Sequence, residues 1–201
     1  MASDITNDQT ADFRRPGRAK AALAVASVFS VLGTFGSLIL SIGLNLKACP
    51  LCFYQRSFVM ASLAALILGR FVERSRPGLI CLLSVPLAWA GLSVAAFHEY
   101  LVLTNVLECP QALVGLGTAP AQSLAMFAAL AATTTIGAWI GRRESSRQGI
   151  GTLFGASVLG VLMAAACVKS SPPLPAAPTA PYDPLKQPLD TCRRPFVAVQ
   201  D

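Results

Sequence analysis

The stretch AALAVASVFSVLGTFGSLILSIGLNL, residues 21–46, runs without a charged side chain between Lys20 and Lys47. A helix needs about 20 apolar residues to cross the roughly 30 Å hydrocarbon core of a bilayer, and this run exceeds that length. Four more stretches read the same way: Cys49–Gly69, interrupted only by Arg56, Pro77–Phe97, Gln122–Ile140 and Gln148–Val168. Glycine and proline inside such runs (Gly33, Gly36, Pro86, Gly155, Gly160) are ordinary in lipid, where neighbouring helices resatisfy the backbone. No alternating ten-residue pattern of the kind a membrane barrel needs is present. The expected fold is all-α, a polytopic transmembrane helical bundle with a four-helix core and a fifth C-terminal transmembrane helix.

Composition agrees. Of 201 residues, 54% are hydrophobic and 13% charged, with a mean hydropathy of +0.58. Soluble domains carry about 25% charged residues, so the chain has too little charge to cover a water-facing surface. Wholesale disorder is excluded by the same figures. The net charge of +6 is placed by topology rather than by a nucleic-acid partner. Ten of the 16 basic residues fall in three segments that alternate spans put on one side. They are Arg14, Arg15, Arg18 and Lys20, then Arg70, Arg74 and Arg76, then Arg142, Arg143 and Arg147. The positive-inside rule makes that side cytoplasmic, with the N-terminus inside and the C-terminus outside.

The chain divides into a disordered cytoplasmic arm (1–20), a four-span core (21–141), a cytoplasmic link with the fifth span (142–168) and an outer tail (169–201). The N-terminus has no cleavable signal pattern. The tail holds eight of the chain's 14 prolines and reads as an extended, polyproline-rich segment. In this topology Cys49, Cys52, Cys109 and Cys192 lie on the outer side, which in a bacterial inner membrane is oxidising. Cys81 lies on an apolar span and reads as a small buried hydrophobe.

Cys49-Pro50-Leu51-Cys52 stands where the first span ends and the second begins. Two cysteines at this spacing bond across one tight turn and favour exchange-active thiols. A structural zinc site would need two further ligands on the same side, and His98 is the chain's single histidine. A static disulfide would gain little from so short a loop. The redox-active pair is the favoured reading, with no metal. Arg56, one turn after Cys52 on the same face, is a charge inside a span and hence a functional candidate. It either snorkels to the interface or stabilises a thiolate and orients a polar acceptor, with Gln55 beside it.

The octet Cys49-Pro50-Leu51-Cys52-Phe53-Tyr54-Gln55-Arg56 at this junction resembles the signature of the DsbB family, over roughly residues 20–141. These inner-membrane proteins make disulfides and pass the electrons to quinone. The resemblance implies a bacterial inner-membrane location and a quinone cofactor, ubiquinone or menaquinone. It also implies a periplasmic thioredoxin-like dithiol oxidase as partner. Cys49 and Cys52 would be the quinone-coupled pair, with Arg56, Gln55 and His98 at the quinone. The alignment of His98 is loose, and as an interfacial polar residue it would need no such role.

One departure stands out. The family's second redox pair lies within the second outer loop, whereas here that loop holds only Cys109. The expectation is that the tail returns so that Cys192 pairs with Cys109, since Lys169 to Cys192 spans roughly 70 Å at polyproline rise. Cys167 is the rival partner, and the absence of any second pair is the third alternative. Cys49, Cys52, Cys109 and Cys192 are therefore the catalytic candidates. Two other functions stay open on sequence: a thiol carrier running in the reducing direction, and a non-enzymatic bundle with structural disulfides.

Overall fold

A computed structural model of the chain describes residues 4–111, 115, 117–142, 150–173, 176, 178–183 and 186–196. The side chains of residues 4–16 are not part of that description, so Arg14 and Arg15 lie outside it, as do Arg143 and Arg147. Five helices follow one another: α1 (Asp4–Leu38), α2 (Pro50–Val72), α3 (Pro77–Leu103), α4 (Ala119–Gly141) and α5 (Ile150–Ser170). All five are long and apolar enough to cross a membrane, and no strand forms among the described residues. The all-helical bundle expected from the uncharged runs is therefore the fold.

The helices outrun the apolar segments that announce them. The backbone of α1 is helical from Asp4, inside the segment read from sequence as a disordered arm. At its other end α1 widens into a π-helical turn, Ile39–Gly43, closed by the Leu44 N–H donating to the Ile39 carbonyl at 3.0 Å. Pro50 and Pro77 start α2 and α3 at the first helical position, where a missing N–H costs nothing. α3 continues past Phe97 to Leu103, which carries His98 inside the bundle.

α3 is the central element, packed against every other helix, and it is the most buried of the spans. Small residues let its neighbours approach. A Cβ on Gly78 would stand 2.5 Å from the Gly141 Cα, so α3 and α4 meet backbone to backbone. A Cβ on Gly160 would stand 2.4 Å from the Pro86 carbonyl, where α5 lies against α3. The Trp89 indole N–H donates to Thr135 at 3.1 Å, a polar link between α3 and α4. Phe35, Phe71, Leu83, Phe154 and Leu162 are exposed, as lipid-facing side chains are. Cys81 is fully buried on α3, the small hydrophobe its position suggested.

Replacing Gly78 by Ala should force α3 and α4 apart and cost about 1–3 kcal/mol, the usual range for overpacking. The control is Gly17→Ala, where a Cβ meets nothing within 4 Å. Thermal unfolding in detergent should show a lowered midpoint for the first and none for the second.

Candidate functional site

The site lies at the end of the bundle where α1 gives way to α2 and where α3 gives way to α4. Cys49 is the N-cap of α2, its Sγ accepting from the Cys52 N–H at 3.3 Å. The Cys49 and Cys52 sulfurs stand 3.0 Å apart, unbonded. The Cys49 thiol is held below the usual cysteine range. Its hydrogen bond with Cys52 is the main cause, opposed by burial and helped by His98.

Cys109 is bonded to Cys192 across 83 residues of sequence. The pairing follows from a two-residue antiparallel bridge. The Glu108 N–H donates to the Arg193 carbonyl at 2.8 Å, and the Arg193 N–H donates to the Glu108 carbonyl at 3.0 Å. With Glu108 opposite Arg193, Cys109 falls opposite Cys192, and their Cα atoms are 4.2 Å apart. An Arg193–Glu108 ion pair at 2.5 Å reinforces the bridge. Two residues before Cys192, Asp190 accepts from the Lys47 backbone N–H at 2.8 Å and pairs with the Lys47 ammonium at 2.8 Å. The tail is thus tied to both loops, on either side of Cys192. The Cys167 alternative is overturned: Cys167 is half-buried and unbonded, while Cys109 is committed to the tail.

His98 lies between the two pairs. It is 0% exposed, contrary to its reading as an interfacial residue. Its Nε2 is 3.4 Å from Cys109 Sγ, 3.4 Å from Cys192 Sγ and 3.9 Å from Cys49 Sγ. On the far side of the ring, Nδ1 is 3.3 Å from Gln55 Nε2, and Gln55 Oε1 accepts from the Ser123 hydroxyl at 2.7 Å. Nothing in the sequence singled out Ser123, because it becomes relevant only once α4, packed on α1 and α3, brings its hydroxyl to Gln55 of α2. The sulfurs of Cys49, Cys52 and Cys192 and a ring nitrogen of His98 all lie within 4.8 Å of one another. The two extra ligands a zinc site would need are therefore close, but Cys192 is already bonded to Cys109.

Beside the pair, a cavity of about 230 Å³ opens between α1, α2 and α4, lined by Leu32, Ser37, Cys52, Gln55, Arg56 and Met126 among others. His98 does not line it. Arg56 is held by α1, donating to the Ser37 carbonyl at 3.1 Å and to the Ser41 hydroxyl. Its Nε is buried without a partner. The guanidinium is thus tied back to the first helix inside the bundle, and Arg56 forms part of the cavity wall. A flat, lipid-dissolved molecule with a polar carbonyl edge fits these residues. A second cavity of about 260 Å³ lies on the other side of the sulfurs, lined by Cys49, Leu101, Val168, Pro172 and Cys192 among others.

A bundle of spanning helices that gathers two cysteine pairs around one buried histidine defines a membrane thiol–disulfide protein. The chain belongs to the family described as Disulfide bond formation protein DsbB, which it matches over residues 18–171, and is an oxidoreductase of disulfide formation. The match takes in α5, beyond the four spans that carried the sequence resemblance, and stops short of Cys192. Comparisons with curated proteins and with solved structures returned no match.

The Lys47–Asp190 tie sets the acid stability of the tail. Its partner lowers the Asp190 carboxyl below 3.8 and raises the Lys47 ammonium above 10.5. The Asp190 contribution is full above 3.8 and is lost as pH falls through the lowered value; the Lys47 contribution is lost only as pH rises through the raised one. Proteolysis of the tail should therefore be level from about pH 5 to 9 and accelerate in stronger acid. In Lys47→Met the neutral-pH rate should already approach the acid one.

Proposed function

We propose that the protein reoxidises a periplasmic thioredoxin-like dithiol oxidase and delivers the electrons to a membrane quinone. The observation that carries this reading is the placement of one cysteine pair against the other, with Cys52 of the inner pair and Arg56 together on the wall of an apolar cavity.

Each step follows from where the sulfurs stand. A thiolate of the partner attacks Cys109, forming a mixed disulfide and releasing Cys192 as thiolate. Cys192 Sγ is within 4.8 Å of Cys49 Sγ, close enough to attack an oxidised Cys49–Cys52 pair with modest movement. The Cys49–Cys192 bond forms, and Cys52 leaves as the thiolate on the cavity side. The partner's second thiol resolves its mixed disulfide and frees Cys109. Cys109 then attacks Cys192, restoring the outer disulfide and releasing Cys49. The result is an oxidised partner and a reduced Cys49–Cys52 pair.

Leu32, Cys52, Gln55, Arg56 and Met126 would hold the quinone head. When bound it supplies an acceptor for two electrons, with two protons completing the quinol. Arg56 orients a carbonyl oxygen and favours negative charge on that side of the cavity. The apolar walls exclude water, and access from lipid suits a substrate that does not dissolve in water. By this reading the sulfur end of the bundle faces the periplasm and the basic links face the cytoplasm of a bacterial inner membrane.

Purified protein given a reduced thioredoxin-like oxidase should bleach ubiquinone absorbance catalytically. Cys52→Ser should lower that rate to background. Arg56→Ala should lower it at least about tenfold, the scale of one lost charged donor. Full activity in Cys52→Ser would end the proposal.

A further inference from the structure

We infer that His98 is a catalytic residue of the exchange between the two cysteine pairs, and that Gln55 and Ser123 are positioning residues that hold its N–H toward the sulfurs. The inference rests on the relay proposed above. It gives His98 a place at the sulfurs rather than at the quinone.

A single atom, His98 Nε2, is within hydrogen-bond reach of Cys109 and Cys192 at 3.4 Å each and just inside that of Cys49 at 3.9 Å. These three sulfurs come from three separate segments of chain, and they are the sulfurs that exchange bonds. Every such exchange begins and ends with a thiolate. Cys49, Cys109 and His98 are buried and Cys192 is half-buried, so a donor from the protein offsets what hydration of the charge is lost. The Arg56 guanidinium, held by Ser37 and Ser41, lies on the cavity side by Cys52. The histidine is what remains at the sulfurs themselves.

The ring's other nitrogen decides whether it can serve. Gln55 Oε1 accepts from the Ser123 hydroxyl at 2.7 Å, which turns the amide Nε2 toward His98 Nδ1 at 3.3 Å. An amide nitrogen is only a donor, so Nδ1 accepts and the ring proton sits on Nε2. The chain Ser123–Gln55–His98 thus presents an N–H to the sulfurs.

The step balances without a proton leaving the ring. Cys192 enters as thiolate, the Cys49–Cys52 bond breaks, the Cys49–Cys192 bond forms, and Cys52 departs with the electron pair. In the second exchange Cys109 enters as thiolate, the Cys49–Cys192 bond breaks, the Cys109–Cys192 bond forms, and Cys49 departs. The ring neither gains nor loses a proton in either exchange. Its N–H donates first to Cys192 and Cys109 before attack, then to Cys49 after it.

The test separates the steps in the full-length protein. Oxidised protein is mixed with one equivalent of dithiothreitol, quenched in acid, alkylated and mapped over time. His98→Ala should slow passage from the outer to the inner pair at least tenfold, more than it slows quinone reduction by a pre-reduced Cys49–Cys52 pair. His98→Asn, which restores a side-chain N–H, should recover part of the loss. Passage at the wild-type rate in His98→Ala, or a loss confined to quinone reduction, would overturn the inference. Failure of the wild-type pairs to exchange at all would instead overturn the relay. Because the chain has one histidine, ¹⁵N-histidine labelling reads the tautomer directly. The wild type should carry its proton on Nε2, and Ser123→Ala should shift protons toward Nδ1. A dominant Nδ1–H form in the wild type would refute the inference whether or not the variants fold.

Discussion

Four residues of antiparallel register hold the working end of this protein together. The reciprocal hydrogen bonds between Glu108 and Arg193 set Cys109 opposite Cys192, and that bond carries a proline-rich tail back onto the α1–α2 and α3–α4 loops. Without it the second redox pair would not exist, because the loop between α3 and α4 contributes only one cysteine. The helices create the apolar cavity and bury His98, but the tail completes the set of sulfurs around it. The ion pairs Lys47–Asp190 and Arg193–Glu108 flank Cys192 and restrain a segment that has no helix of its own.

How much of this could be read from sequence follows from the range of each interaction. The spans were legible because bilayer thickness imposes a length on every uncharged run, and the runs from Ala21, Pro77 and Gln148 meet it without help from neighbours. The Cys49–Cys52 motif and Arg56 were legible because four residues of helix fix their relation. Cys192 was assigned to Cys109 by reach and by the family departure, with Cys167 still standing; only the Glu108–Arg193 register decides between them. The placement of His98 was not legible. A lone histidine near a helix end has no periodic partner, and its surroundings come from α2, the tail and the loop before α4. Ser123 was hidden for the same reason.

The two sides of the sulfur cluster differ in character. Toward α1 and α4, Cys52 meets an apolar cavity with one cationic donor. Toward the tail, Cys192 lies among loop segments tied by charge pairs. Cys192 also lines the edge of that cavity, so the two environments meet at the sulfurs, around His98.

The fifth helix has a consequence for biogenesis. Cys192 lies beyond α5, so the outer pair cannot form until the last span has been made and inserted and the tail has returned across the bundle. A nascent chain that has only its first four spans holds the inner cysteine pair and the cavity but no sulfur partner for Cys109. Such an intermediate has no intact relay through which an outside thiol could reach the cavity. In the relay proposed above, completion of the polypeptide is thus the event that connects the electron path.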